Sequence, residues 1–175
     1  DFGENQVQSA QSKITTLADL PINWHFIGTI QSNKLKKIAQ LFSWIQSITT
    51  IDQATAIANT LPEKNFNICV QVKLGQKEPR NACLLDDCEK LFESILKLPN
   101  INLRGLMYLP ENNLTNQQLA NNYQTINQQF KLLAPRFNLD TLSIGMSNDY
   151  KIAIQNGSTM IRPGNKIFND LTNRN

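Results

Sequence analysis

Apolar residues along this chain fall into short runs of strand length, separated by stretches in which they recur every three or four positions. The strand-like runs are NWHFIG (23–28), SWIQSIT (43–49), FNICVQVKL (66–74), INLRGLMYL (101–109), TLSIGM (141–146) and TMIRPG (159–164), and FGEN near the start reads as the end of another. Cys88, Leu91, Ile95 and Leu98 share one helical face, and Asp86 with Glu89 three residues on reads as the cap that opens that helix. Leu119, Tyr123, Ile126, Phe130 and Leu133 mark a longer helix, which Pro135 is expected to close. A further amphipathic helix starts after SIGMSND. Strands alternating with helices predict an α/β fold with a parallel sheet. Seven strands, each followed by a helix or helical turn, match a (β/α)8 TIM barrel without its first unit, built as one domain over 1–175. The alternative is an open doubly wound sheet, whose G-x-G-x-x-G fingerprint is absent.

Composition narrows the class. At 175 residues the chain can bury one sizeable core, and 41% apolar with 18% charged residues suits a globular protein. The net charge of +3 is thinly spread, with KLKK (34–37) the longest basic run, so no stripe for nucleic acid is present. Asn and Gln abound in runs such as NNLTNQQLANNYQTINQQ, read as solvated faces. Cys69, Cys83 and Cys88 are an odd set without a signal peptide, which points to a reducing, cytoplasmic setting. The C-x4-C pair Cys83 and Cys88 has no second ligand pair near it and His25 is the only histidine, so no metal is expected. No run approaches the roughly 18 apolar residues that span a bilayer. The chain opens at DFGEN without a methionine, which implies a fragment or an upstream segment removed.

Candidate chemistry gathers at two strand ends. In GMSND, Gly145 permits tight packing, Ser147 offers a hydroxyl, and the amides that follow open a helix; in RPGN, Gly164 lets the chain approach a ligand and Asn165 adds a side-chain donor. Two such ends facing one space suggest a bound phosphate, although Gly and Ser also punctuate loops and Asn148-Asp149 also suits a plain helix cap. Arg162 closes an apolar strand, where it binds phosphate oxygens, faces a ring nitrogen or snorkels at the rim. His25 lies beside Trp24 on a strand, with Gln31, Ser32, Asn33 and Lys34 following and Ser32 or Asn33 as the helix cap. Glu4 and Asn5 stand at a strand end, the usual place for barrel chemistry. Lys73, near another strand end, reads as a solvated lysine or as a Schiff-base former if desolvated.

Taken in order, FGEN, WHFIGTIQSNK, IQSITTID, LRGLMYLP, LSIGMSNDYKIAIQNGSTMIRPG and IF resemble the pyridoxal phosphate homeostasis protein family over almost the whole chain. The resemblance implies a barrel similar to the N-terminal domain of alanine racemase, binding pyridoxal 5′-phosphate (PLP) without established turnover. It implies a role in PLP, vitamin B6 and amino-acid homeostasis, a cytoplasmic monomer, PLP-dependent apo-enzymes as partners, and no nucleic acid or membrane. By the same resemblance Met146, Ser147, Gly164 and Asn165 match the phosphate-cradling loops, Arg162 the arginine facing the pyridine nitrogen, and Asn5 and His25 the ring side of the pocket. The family's PLP lysine lies on a strand upstream of FGEN and is expected outside this sequence. Further departures are Asn165 for Thr, Pro163 for another residue, Lys73 for Asn, and Asn169 where IFG ends in Gly. A PLP-dependent racemase-like enzyme and a degenerate barrel that no longer binds PLP are the alternative readings.

Overall fold

The computed structural model describes residues 1–78 and 81–172, with side chains up to 168. Its strands are β1 (Phe2–Glu4), β2 (Trp24–Phe26), β3 (Trp44–Ile48), β4 (Phe66–Lys73), β5 (Cys83–Leu84), β6 (Ile101–Tyr108), β7 (Thr141–Met146) and β8 (Met160–Arg162). The helices are α1 (Val7–Thr16), α2 (Leu35–Leu41), α3 (Ile51–Thr60), α4 (Cys88–Ile95), α5 (Asn116–Phe137), α6 (Tyr150–Gln155) and α7 (Gly164–Thr172). All strand pairs are parallel, in the order β1-β2-β3-β4-β6-β7-β8, with the short β5 beside the end of β4. Among the described residues β1 and β8 each pair with one neighbour, so the ring of strands is nearly closed. This is the TIM-barrel architecture that the alternation of elements predicts.

Side-chain alternation along the strands separates two environments. Phe26, Ile45, Ile68, Val70, Leu106, Leu142 and Ile144 belong to the apolar core that also includes Ile38, Ile57, Phe92, Tyr123 and Phe130 of the helices. The intervening positions, including His25, Gln46 and Ser143, turn to a barrel interior where polar atoms bond across the ring. At its base Arg104 stacks over Trp44 with 4.7 Å between guanidinium carbon and ring centroid, and donates to Asp140 and to Asn67 Oδ1. The interior is thus a polar axis, and the apolar core is the layer around it.

Three local expectations are corrected. Pro135 lies inside α5, which runs on to Phe137. A proline so near the end removes only one helical donor. The stop is Asn138 in the left-handed region (φ 52°), with Leu139 N–H closing on Ala134 O. Asp86 does not cap α4, because a 3-10 turn (Leu85–Asp87) leads into that helix with no side-chain cap bond. The expected run to 164 ends at Arg162, and Gly164 opens α7 instead of forming a turn. The start of α5 carries a capping box of Thr115 and Gln118, which the T-x-x-Q spacing advertises.

Asn100 ties the bottom of the barrel to a helix end. Its Nδ2 donates to Ala58 O (3.0 Å) in the last turn of α3 and to Lys64 O (3.2 Å) and Leu61 O (3.3 Å) in the loop after it, where Leu61 O also accepts the Lys64 N–H. The side chain is buried, so Asn100→Ala takes this donor from the Ala58 and Lys64 carbonyls and costs about 2 kcal/mol. The expected result is a lower urea midpoint with an unchanged slope; an unchanged midpoint would show the bonds are replaced by water. Among the described residues no helix is long and apolar enough to cross a membrane, and no group of three or more His, Cys, Asp or Glu residues is placed to hold a metal.

Candidate functional site

The site is built where β7 and β8 give way to α6 and α7. Gly145 has φ +95°, and a Cβ there would lie 2.5 Å from Ala153 Cβ, so only glycine lets α6 lie this close to the end of β7. The next turn is held from within. Met146 N–H donates to Asp149 Oδ1, Asp149 N–H donates to Met146 O at 3.1 Å, and Tyr123 O–H donates to Asp149 Oδ2 at 2.8 Å. Asp149 thus braces the loop rather than capping α6 with its side chain. Burial and the bond to Asp149 push the Tyr123 phenol well above its ordinary value, so it remains a proton donor.

Ser147 joins this loop to the other one. Its Oγ accepts the Lys166 N–H at 3.1 Å, which leaves the hydroxyl proton free for another acceptor. The first N–H groups of α7 have no acceptor within their own helix. At Gly164 a Cβ would meet nothing within 4 Å, so neither packing nor backbone conformation of the protein itself demands glycine there. Both loops open on a cavity of about 590 Å³, whose lining includes Asn5, Met146, Ser147, Arg162, Gly164 and Asn165. Six of the seven residues singled out from the sequence therefore meet in one space. A second cavity of about 490 Å³ shares Asn5 and is lined by Gln31, Lys34 and Gln71 among others. Gly28 seats Asn5, since a Cβ on it would fall 2.1 Å from Asn5 O.

Arg162 rises from β8 beneath the larger cavity. Nη1 donates to Ser143 Oγ at 2.6 Å and Nη2 to Tyr108 O at 2.9 Å. Burial lowers its pKa to about 10, which leaves it a cation at neutral pH.

His25, expected on the ring side, lines neither cavity and sits in the barrel interior at 3% exposure. It stacks on Trp44 with centroids 4.7 Å apart, and its Nδ1 lies 2.9 Å from Gln46 Nε2. Its Nε2 has no hydrogen-bond partner, with Asp1 Oδ1 3.6 Å away. Burial lowers its pKa to about 4, so the ring is neutral.

Other candidates have local roles. Glu4 pairs with Lys13 (2.6 Å) and Ser9 on α1. Lys73 ends β4 and lines neither of the two cavities. Ser32 and Asn33 lie in a 3-10 turn without a side-chain cap bond. Sequence reasoning missed Asp149, Tyr123, Gln46 and Ser143 as site-shaping residues. For Ser143 the signal was present, a polar residue between Leu142 and Ile144 on β7, whereas Gln46 stands beside a second polar residue, Ser47, on β3.

Loops at the strand ends of a nearly closed parallel barrel define a protein of the alanine racemase N-terminal type, and the model of that family (alanine racemase, N-terminal domain) matches residues 2–171. Within that class the chain belongs to the pyridoxal phosphate homeostasis protein family. It is 41% identical over 170 residues to the pyridoxal phosphate homeostasis protein of Pseudomonas aeruginosa, covering 96% of this chain and 73% of that protein. The protein of the same name from Escherichia coli K12 is 34% identical over 176 residues, with 95% and 74% covered. Among solved structures, PipY of Synechococcus elongatus PCC7942 with PLP bound has a TM-score of 0.87 at 32% identity, covering 95% of this chain and 80% of that one.

Proposed function

We propose that the larger cavity binds PLP and that the chain serves PLP homeostasis as a holder of the cofactor rather than as a catalyst. The observation that carries this reading is the meeting of Asn5, Met146, Ser147, Arg162, Gly164 and Asn165 around one space. Its volume of about 590 Å³ suits a ligand of this size. The residues fit a phosphate: a free hydroxyl proton on Ser147, amides at the start of α7, and open space at Gly164. When bound, the cofactor supplies an aldehyde that captures amines and a ring that withdraws electrons.

The chain's own residues bias that chemistry toward storage. Arg162, protonated and fixed below the cavity, would meet the ring nitrogen as a donor and disfavour placing a proton there, which would weaken the ring as an electron sink. The same reading makes PLP-dependent apo-enzymes the recipients and the protein a cytoplasmic monomer. PipY determined with PLP bound, at 32% identity, supports the PLP-binding part of this reading.

Ser147→Ala and Arg162→Ala test it. Each removes a donor to a charged or ring-nitrogen acceptor and is expected to weaken PLP binding about tenfold, read by fluorescence titration. Unchanged affinity in both variants would sink the assignment. Racemisation of an amino acid above the free-cofactor rate would replace the holder with an enzyme.

A further inference from the structure

We propose that Ser143 and Gln46 are positioning residues that hold Arg162, through a one-way chain of hydrogen bonds across the barrel interior, as a fixed donor toward the cofactor's ring nitrogen. This rests on the reading of Arg162 given above. The chain joins four strands, from Arg162 on β8 to Ser143 on β7, Gln46 on β3 and His25 on β2.

Its direction follows from what each group can do. A guanidinium only donates, so Ser143 Oγ must accept from Arg162 Nη1 at 2.6 Å. The single hydroxyl proton of Ser143 then goes to Gln46 Oε1, also at 2.6 Å. That orients the amide and turns Gln46 Nε2 toward Met160 Sδ at 3.1 Å and His25 Nδ1 at 2.9 Å. His25 Nδ1 therefore accepts, and its ring proton is on Nε2. The first link cannot reverse, and the later ones follow from the Gln46 amide presenting Oε1 to Ser143 and Nε2 to His25.

Burial makes the arrangement rigid. Ser143, Gln46 and His25 are 0%, 1% and 3% exposed, so a broken link leaves an unpaired buried group that water does not rescue. Apolar residues at positions 46 and 143 would fill the barrel at lower cost, and the polar ones are accounted for by the guanidinium they orient. With Nη1 on Ser143 and Nη2 on the Tyr108 carbonyl, Arg162 cannot swing toward a phosphate; its remaining N–H groups are left for the cavity it lines.

A ligand pair isolates this role from folding. PLP and its 1-deaza analogue, in which C–H replaces the ring nitrogen, differ only in the acceptor that Arg162 would meet. The wild-type chain is expected to prefer PLP about tenfold. Ser143→Ala and Gln46→Leu should cut that preference at least about threefold, toward the value of Arg162→Ala, and Ser143→Thr should restore it. A merely structural role would lower affinity for both compounds equally, and an intact preference in both variants overturns the proposal. If Arg162→Ala itself keeps the preference, the ring-nitrogen reading of Arg162 fails and the proposal falls with it. If the wild-type chain binds neither compound, the cofactor reading fails instead.

Discussion

Gly145→Ala is expected to destabilise the protein by about 3 kcal/mol and to abolish high-affinity cofactor binding. Two costs combine. A φ of +95° is a conformation that an L side chain adopts at a penalty of about 1 kcal/mol or more. The new methyl would also fall 2.5 Å from Ala153 Cβ and 3.1 Å from Tyr150 Cα, overlaps that force α6 off the end of β7 at a further cost of about 1–3 kcal/mol. Moving α6 carries Asp149 with it, and Asp149 holds both Met146 N–H and Tyr123 O–H. The loop that presents Ser147 therefore loses its brace along with its footing. For a chain of 175 residues the loss corresponds to a fall in Tm of about 10 °C.

Gly164→Ala supplies the contrast, because a Cβ there meets nothing within 4 Å and the residue opens a helix. Its effect on folding should be neutral or slightly favourable, while PLP affinity falls if the phosphate occupies that space. Thermal melts and PLP titrations of the two variants check both halves. A Gly145→Ala protein as stable as wild type would mean that α6 is not seated as described. A Gly164→Ala protein with full affinity would place the phosphate elsewhere.

The difference between these two glycines marks how far the sequence can be read. Strand positions were legible because apolar runs bounded by turns survive any packing detail, and every predicted run contains a strand. The two glycine loops were legible as a pair because β7 and β8 are neighbours in a barrel, so their ends must face one space. What each glycine does was not legible, since it depends on the distance to Ala153 in one case and on empty space in the other. Pro135 misled for a similar reason: its effect depends on how many helical bonds lie beyond it, which sequence alone does not count. His25 was visible as a polar residue on an apolar strand. Its partners Gln46, Ser143 and Arg162 come from positions 21 to 137 residues away, and only the closing of the barrel brings them together. β5 has just two residues and leaves no periodicity to detect.

Acidification from neutral pH to pH 4 is expected to cost about 3 kcal/mol of stability through His25 alone. Its pKa in the folded protein, about 4, lies below the ordinary imidazole value of 6.5. Between those values the unfolded chain takes up a proton that the folded chain refuses. Stability is therefore fully present above pH 6.5, falls as pH drops through that value, and levels off below about 4, a difference worth about 3 kcal/mol. The refusal has a structural cause beyond burial. Nδ1 already faces the Gln46 amide donor, and one ring face is covered by Trp44. The Asp1 carboxylate at 3.6 Å from Nε2 favours charge, and it is too exposed to offset desolvation.

Asp140, held below its usual range by the bonds from Arg104, adds a loss that begins only at lower pH, so the two contributions separate along the pH axis. His25→Asn retains an acceptor for Gln46 but cannot titrate. Urea midpoints of the variant should stay level from pH 7 to pH 4.5, where those of the wild type decline. Parallel declines in the two proteins would mean that His25 is charged in the folded state. The Gln46 amide would then have to present its oxygen to the ring and its N–H to Ser143 Oγ, which would accept from both Gln46 and Arg162.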